Sequence, residues 1–243
     1  MPAIVESQIV RLNDLSNEEF LGRYAKAGCI GLSGGLTLID KAICRAERHL
    51  NEKERWGLWS HAFVFQGVRA DGHHWVLESD LQVHHKHIQL GVQENRISKY
   101  HDEKLYTNLA ILDFGLSDEH VALLLREGLE LVASRAKYSM RELVGTLIAL
   151  RRPELRTQNN VLARESSMYC SAFVRHLFRK MGLELAPGID TKNTTPEDIS
   201  QSPAPHVTYL LQREAPHGAV DALKRRTRAR MRLMKRRRAT ARS

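Results

Sequence analysis

After a polar run, Cys170, Phe173, Val174, Leu177, Phe178 and Met181 recur at i, i+3, i+4, i+7, i+8 and i+11, and Gly182 follows. That period predicts a core-facing helix closed by the glycine. Its first turn holds Cys170, where free backbone N–H groups and the positive end of the helix dipole favour a thiolate over a thiol. Cysteine is also a common small core residue. Reading Cys170 as a nucleophile therefore requires a base elsewhere in the chain.

The remaining punctuation is regular enough to order the elements. Residues 1–15 predict a short strand or arm. Ser16-Asn17-Glu18-Glu19 is a capping box that starts a helix to about Ala27. Gly31-Leu32-Ser33-Gly34-Gly35 predicts a tight turn; no Lys-Ser or Lys-Thr follows, as a phosphate loop would need. Thr37 then caps a helix with Leu36, Ile39, Ile43, Ala46 and Leu50 on its buried stripe and Cys44 beside it. Residues 59–65 predict a strand, Arg69-Ala70-Asp71-Gly72 a turn and 73–79 the return strand, with further extended pieces at 83–92 and 106–114. Ser117 caps a helix to about Lys137, and the capping box Ser139-Met140-Arg141-Glu142 opens another that ends at Arg151-Arg152-Pro153. Beyond the Cys170 helix, Thr195-Pro196-Glu197-Asp198 starts a short helical turn, and 206–211 predict a last strand. This order lacks the βαβ alternation of a parallel sheet, so the expected class is α+β, an antiparallel β-meander packed against helices.

Charge separates the chain into two parts. Residues 222–243 carry 11 Lys and Arg and no acid, leaving 26 basic against 28 acidic residues in 1–221, so the formal net charge of +9 belongs to the tail. The expected division is one domain over 1–215 and a basic tail over 216–243. Val220, Leu223, Met231 and Met234 lie at near-helical spacing in that tail, which suits docking on nucleic acid or an anionic membrane as well as a solvated end. Three cysteines make no disulfide framework and suggest a reducing compartment. The N-terminus shows no basic region followed by an apolar one, and no run approaches the ~18 apolar residues of a membrane span. The expectation is a cytoplasmic protein without a transmembrane segment.

Among the 12 histidines, His61 is the best candidate base, because it lies in a strand beside Trp59, Phe63 and Phe65. A turn that faces Val68 with His73 places Glu78 opposite Phe63 and makes His61 its diagonal neighbour on the same face. Glu78 could then accept the imidazole N–H and leave the other ring nitrogen for Cys170. A slip of one residue would move Glu78 to the far face. His73, His74, His84, His85, His87 and His101 also cluster in sequence, but no cysteine or paired carboxylate completes a ligand set, so a polar hairpin and no metal or other cofactor is expected.

Taken together, Ser60-His61-Ala62-Phe63-Val64, Val76-Leu77-Glu78-Ser79 and Tyr169-Cys170-Ser171-Ala172-Phe173-Val174 resemble the circularly permuted NlpC-like branch of the papain fold, YiiX-type. The resemblance spans roughly residues 28–212. It implies the chain order base, third residue, nucleophile, with His61, Glu78 and Cys170 in those roles. It also implies a thiol hydrolase or acyltransferase acting on an amide, peptide or ester bond, with a peptide, amide or acyl-lipid substrate. Where that family commonly has Gly-Asp-Leu or Gly-Asp-Ile before the histidine strand, this chain has Gly31-Leu32-Ser33-Gly34-Gly35. The alternative is a non-catalytic module that docks on nucleic acid or an anionic membrane through residues 222–243.

Overall fold

The computed structural model describes residues 6–36, 38–50, 56–84, 87–134, 140–150, 152–158 and 168–213. The Thr37 cap, the Ser139 capping box, His85 and the tail 216–243 lie outside the described residues. By contacts the chain divides into Met1–Gln212 and Arg213–Ser243.

In chain order the elements are β1 (Gln8–Leu12), α1 (Asn17–Tyr24), β2 (Ile30–Gly35), α2 (Leu38–Ala46), β3 (His61–Val68), β4 (His74–His84), β5 (His87–Arg96), β6 (Tyr106–Asp113), α3 (Asp118–Ala133), α4 (Met140–Ala149), α5 (Cys170–Lys180), α6 (Pro196–Ser200) and β7 (Val207–Gln212). Short 3-10 turns cover Glu47–Leu50, Ile97–Tyr100, Pro153–Leu155 and Thr191–Asn193. The class is α+β. One mixed sheet of seven strands runs β1-β7-β6-β2-β3-β4-β5. Its pairs are antiparallel except for the parallel edge pair of β1 with β7. The expected meander is β3-β4-β5, whereas β6 returns to pair with β2 rather than continuing it.

Strand alternation divides the core between the two faces of the sheet. Leu32, Ala62, Val64, Leu77 and Ala110 pack with Leu124 of α3 and with Phe173, Val174, Leu177 and Phe178 of α5. Phe63, Phe65, Val76, Leu109 and Ile111 pack with Phe20 and Leu21 of α1 and with Ile97 and Tyr100. The stripe read from Cys170 onward is therefore the buried face of α5, and the same apolar periodicity fixes which side of the sheet receives the helix.

Two sequence expectations need correction. Residues 31–35 are not a turn but part of β2, paired with β6 throughout and with β3 as far as Ser33, and buried from Ile30 to Gly34. The glycines serve close packing: a Cβ on Gly31 would lie 2.2 Å from the Phe63 ring, and one on Gly34 would lie 2.2 Å from the Leu58 carbonyl oxygen. At the hairpin, Val68 faces His74 rather than His73. A β-bulge between Phe65 and Gly67 absorbs the extra residue, so Phe65 faces Val76 and Val64 faces Leu77. Gly67 takes φ +89°, a conformation few other residues adopt.

Candidate active site

The β3–β4 ladder stops at Val64 and Leu77, although β4 continues along β5 to His84. This leaves the β3 side of residues 78–80 open to side chains, and three elements converge there. His61 is the first residue of β3, Glu78 lies on β4 and Cys170 is the first residue of α5. Continuing the ladder places Glu78 across from Phe63, on the face that His61 shares. His61 Nε2 is 2.7 Å from Glu78 Oε2.

Cys170 is the sulfur group that acts on the imidazole, close enough for its charge to be felt at His61. With Nε2 committed to Glu78, Nδ1 is the nitrogen left for the thiol. Burial disfavours the imidazolium, yet the interaction with Cys170, the hydrogen bond to Glu78 and the Asp80 carboxylate outweigh it. The His61 pKa consequently lies well above the ordinary histidine range. Cys170 is only 4% exposed, and the His61 side chain is the more open of the two at 15%.

The start of α5 is clamped rather than capped. Tyr169, the residue before the helix, makes no side-chain cap, so the first-turn N–H groups are not tied up by it. Ser171 Oγ donates to Thr194 O at 2.8 Å, and the Tyr169 hydroxyl donates to the same carbonyl. Arg175 Nη1 donates to Thr194 Oγ1 at 2.7 Å and to Ile189 O at 2.6 Å. Ser79 Oγ donates to Met168 O at 2.6 Å, which ties the approach to Cys170 to the strand that bears Glu78.

Glu78 is fully buried and surrounded by donors. Besides His61, it accepts from Asn95 Nδ2 at 2.6 Å, from Lys99 Nζ at 2.7 Å and from the Tyr100 hydroxyl. Burial alone would raise its pKa; the Lys99 ammonium and the His61 hydrogen bond and charge overcome that and hold it well below the usual carboxylate range. The Tyr100 ring stacks on Phe63, with centroids 4.2 Å apart, so the hydroxyl is aimed by packing. Lys99, Tyr100, Asn95 and Asp80 were not found from the sequence. Asp80 and Asn95 share the Glu78 face by strand alternation and the β4–β5 register, but Lys99 and Tyr100 come from a 3-10 turn that carries no spacing signal.

His61, Glu78 and Asp80 bring three donor atoms within 4.8 Å of one another, near enough for a metal ion had no other cation been supplied. Here Lys99 Nζ lies 2.7 Å from Glu78 Oε1 and 2.6 Å from Asp80 Oδ2, so an ammonium already takes the bridging position. Among the described residues the hairpin histidines assemble no such group. The other two thiols are buried packing residues. Burial, reinforced by Asp113, pushes Cys29 up to about 12, and burial with Glu47 and Asp40 pushes Cys44 up to about 12.

No family model matches the chain, and no curated protein matches it. Among solved structures it is similar to a crystal structure of metalloprotein yiiX from Escherichia coli O157:H7, DUF1105, at 13% identity and a TM-score of 0.49, over 79% of this chain and 99% of that one. No helix among the described residues is long and apolar enough to cross a membrane.

Proposed function

We propose that this chain is a cysteine-dependent acyl-transfer enzyme of permuted papain-like, NlpC-like type, a hydrolase or acyltransferase that works through an acyl-thioester. The observation that carries this reading is the convergence of Cys170, at the start of α5, on a His61 that is hydrogen-bonded at 2.7 Å to the buried carboxylate of Glu78. In this reading the Cys170 thiolate attacks the acyl carbon of an amide, peptide or ester, and the backbone N–H groups at the start of α5 stabilise the oxyanion. The His61 imidazolium donates its Nδ1 proton to the leaving amine or alcohol as the acyl–leaving-group bond breaks. His61 then takes a proton from water, or from an acceptor alcohol or amine, as that nucleophile attacks the thioester and releases Cys170. Glu78 keeps the imidazole oriented and stabilises its charged form. The residue motifs around His61, Glu78 and Cys170, and their order in the chain, support the same assignment.

Labelling with an acyl-type electrophilic probe tests it. Cys170→Ala should abolish labelling and turnover with the fold retained, whereas Cys29→Ala and Cys44→Ala should keep both. Undiminished labelling of the Cys170→Ala chain would contradict the proposal.

A further inference from the structure

The base and its carboxylate carry a charge problem that Cys170, His61 and Glu78 do not themselves resolve. β4 sends two carboxylates, Glu78 and Asp80, to the same side beside His61, and Glu78 is fully buried. Isolated, two such anions would repel each other and bind protons strongly. The Ile97–Tyr100 turn supplies Lys99, whose Nζ lies 2.7 Å from Glu78 Oε1 and 2.6 Å from Asp80 Oδ2, with 20% of its side chain exposed. The ammonium also lies 5.3 Å from the centre of the Tyr100 ring, so its stem is held between the turn and β4. Lys99 engages one oxygen of Glu78 while His61 and Tyr100 share the other.

The geometry points to Lys99 as a positioning residue of this site: it balances one of the two β4 carboxylates and fixes Glu78 so that its Oε2 faces His61. This rests on reading His61 as the base. The charged and titratable groups around His61 come from every neighbouring element: Cys170 from α5, Glu78 and Asp80 from β4, Lys99 and Tyr100 from the 3-10 turn, and Tyr106 from β6, with Asp40 of α2 acting on Tyr106. Lys99 is the permanent cation among them. Removing it leaves one more uncompensated negative charge, so the proton shared by His61 and Glu78 is held more tightly, whichever of the two carries it.

The test uses the full chain with Cys170→Ala, which removes the thiol, and follows the His61 ring by NMR as the pH is varied. Its signals are identified by their loss in His61→Gln. Lys99→Met should raise the His61 titration midpoint by about one pH unit, and Lys99→Arg should return it to within a few tenths of the starting value. Because Lys99→Met strips a partner from the buried Glu78 and could impair folding, Asp80→Asn provides the opposite perturbation at a partly exposed carboxylate and should lower the midpoint. Unchanged midpoints in a folded Lys99→Met chain, or an unchanged or raised midpoint in Asp80→Asn, overturn the proposal. No turnover is needed for this readout, so its failure is distinguishable from a failure of the Cys170 assignment.

Discussion

At the residue scale, the site is governed by how its charges are compensated. Glu78 is buried yet ionised because Asn95, Lys99, Tyr100 and His61 all donate to it. Tyr100→Phe keeps the stacking on Phe63 but removes one of these donors, and should cost about 1–2 kcal/mol in a denaturant titration. Glu78→Gln should lower the acyl-transfer rate on the order of 10²-fold, because the amide holds the imidazole in place without stabilising its charge. The pH dependence has two limbs. With its folded pKa depressed, Glu78 stabilises the fold fully above the unfolded carboxyl value of about 4.3, and this contribution is lost as pH falls through the folded value. His61, raised in the fold, stabilises it fully below about 6.5, and loses this as pH rises through its folded value. Thermal melts across pH should therefore show an alkaline decline that is weaker in His61→Gln. The same residues mark what the sequence could reveal. His61 and Glu78 were legible because strand alternation turns a register into a contact. Lys99 was not, because only the folded turn at residues 97–100 brings it to β4.

At the element scale, the strands position the site and their irregularities matter as much as their pairing. β2 looked like a turn because its glycines are normally read as conformational freedom. Inside the sheet they instead give room to Phe63 and to the Leu58 backbone. Gly31→Ala should destabilise the fold by about 1–3 kcal/mol and disturb Phe63, the residue between His61 and the core, so the denaturation midpoint and acyl transfer should fall together. The hairpin shows the opposite case. Its turn was misread by one residue, yet the bulge at Gln66 restored the expected register before Glu78, and without the bulge Glu78 would face the other side of the sheet. A second strained point lies where the Glu47–Leu50 turn meets α6. Glu47 is buried and its Oε2 lacks a hydrogen-bond partner. Burial, followed by the charge of Glu197, raises its pKa well above the carboxylate range. A raised carboxyl contributes stability below its unfolded pKa and loses it as pH rises through the folded value. Glu47→Gln should therefore stabilise the protein near neutral pH, by about 1 kcal/mol or more in chemical denaturation, and change little at low pH.

At the scale of the whole molecule, a two-sided sheet buries α5 on one face and the Tyr100 turn on the other, and the place where β3 and β4 part lets residues from both meet. The α+β class was legible from element order, but the mixed sheet was not, because the parallel β1–β7 pair joins chain segments about 200 residues apart by non-local contacts that no short pattern encodes. Among the described residues the last strand of the sheet ends at Gln212, and 11 of the 37 basic residues follow it in 222–243. Deleting 222–243 should leave the thermal unfolding of the domain intact and remove most affinity for heparin or duplex DNA. In the full chain that affinity should fall with salt at a log–log slope on the order of −0.9 per phosphate contact. A nucleophilic role for Cys170 is tested most directly by the reactivity of its thiol. Peptide mapping of the full chain during brief iodoacetamide treatment near neutral pH reports the alkylation rate of each cysteine. Cys170 should react at least about ten-fold faster than Cys29 and Cys44, and lose that advantage in His61→Ala. A Cys170 that reacts no faster than the two packing cysteines, or reacts equally fast without His61, would contradict a nucleophilic Cys170 activated by His61.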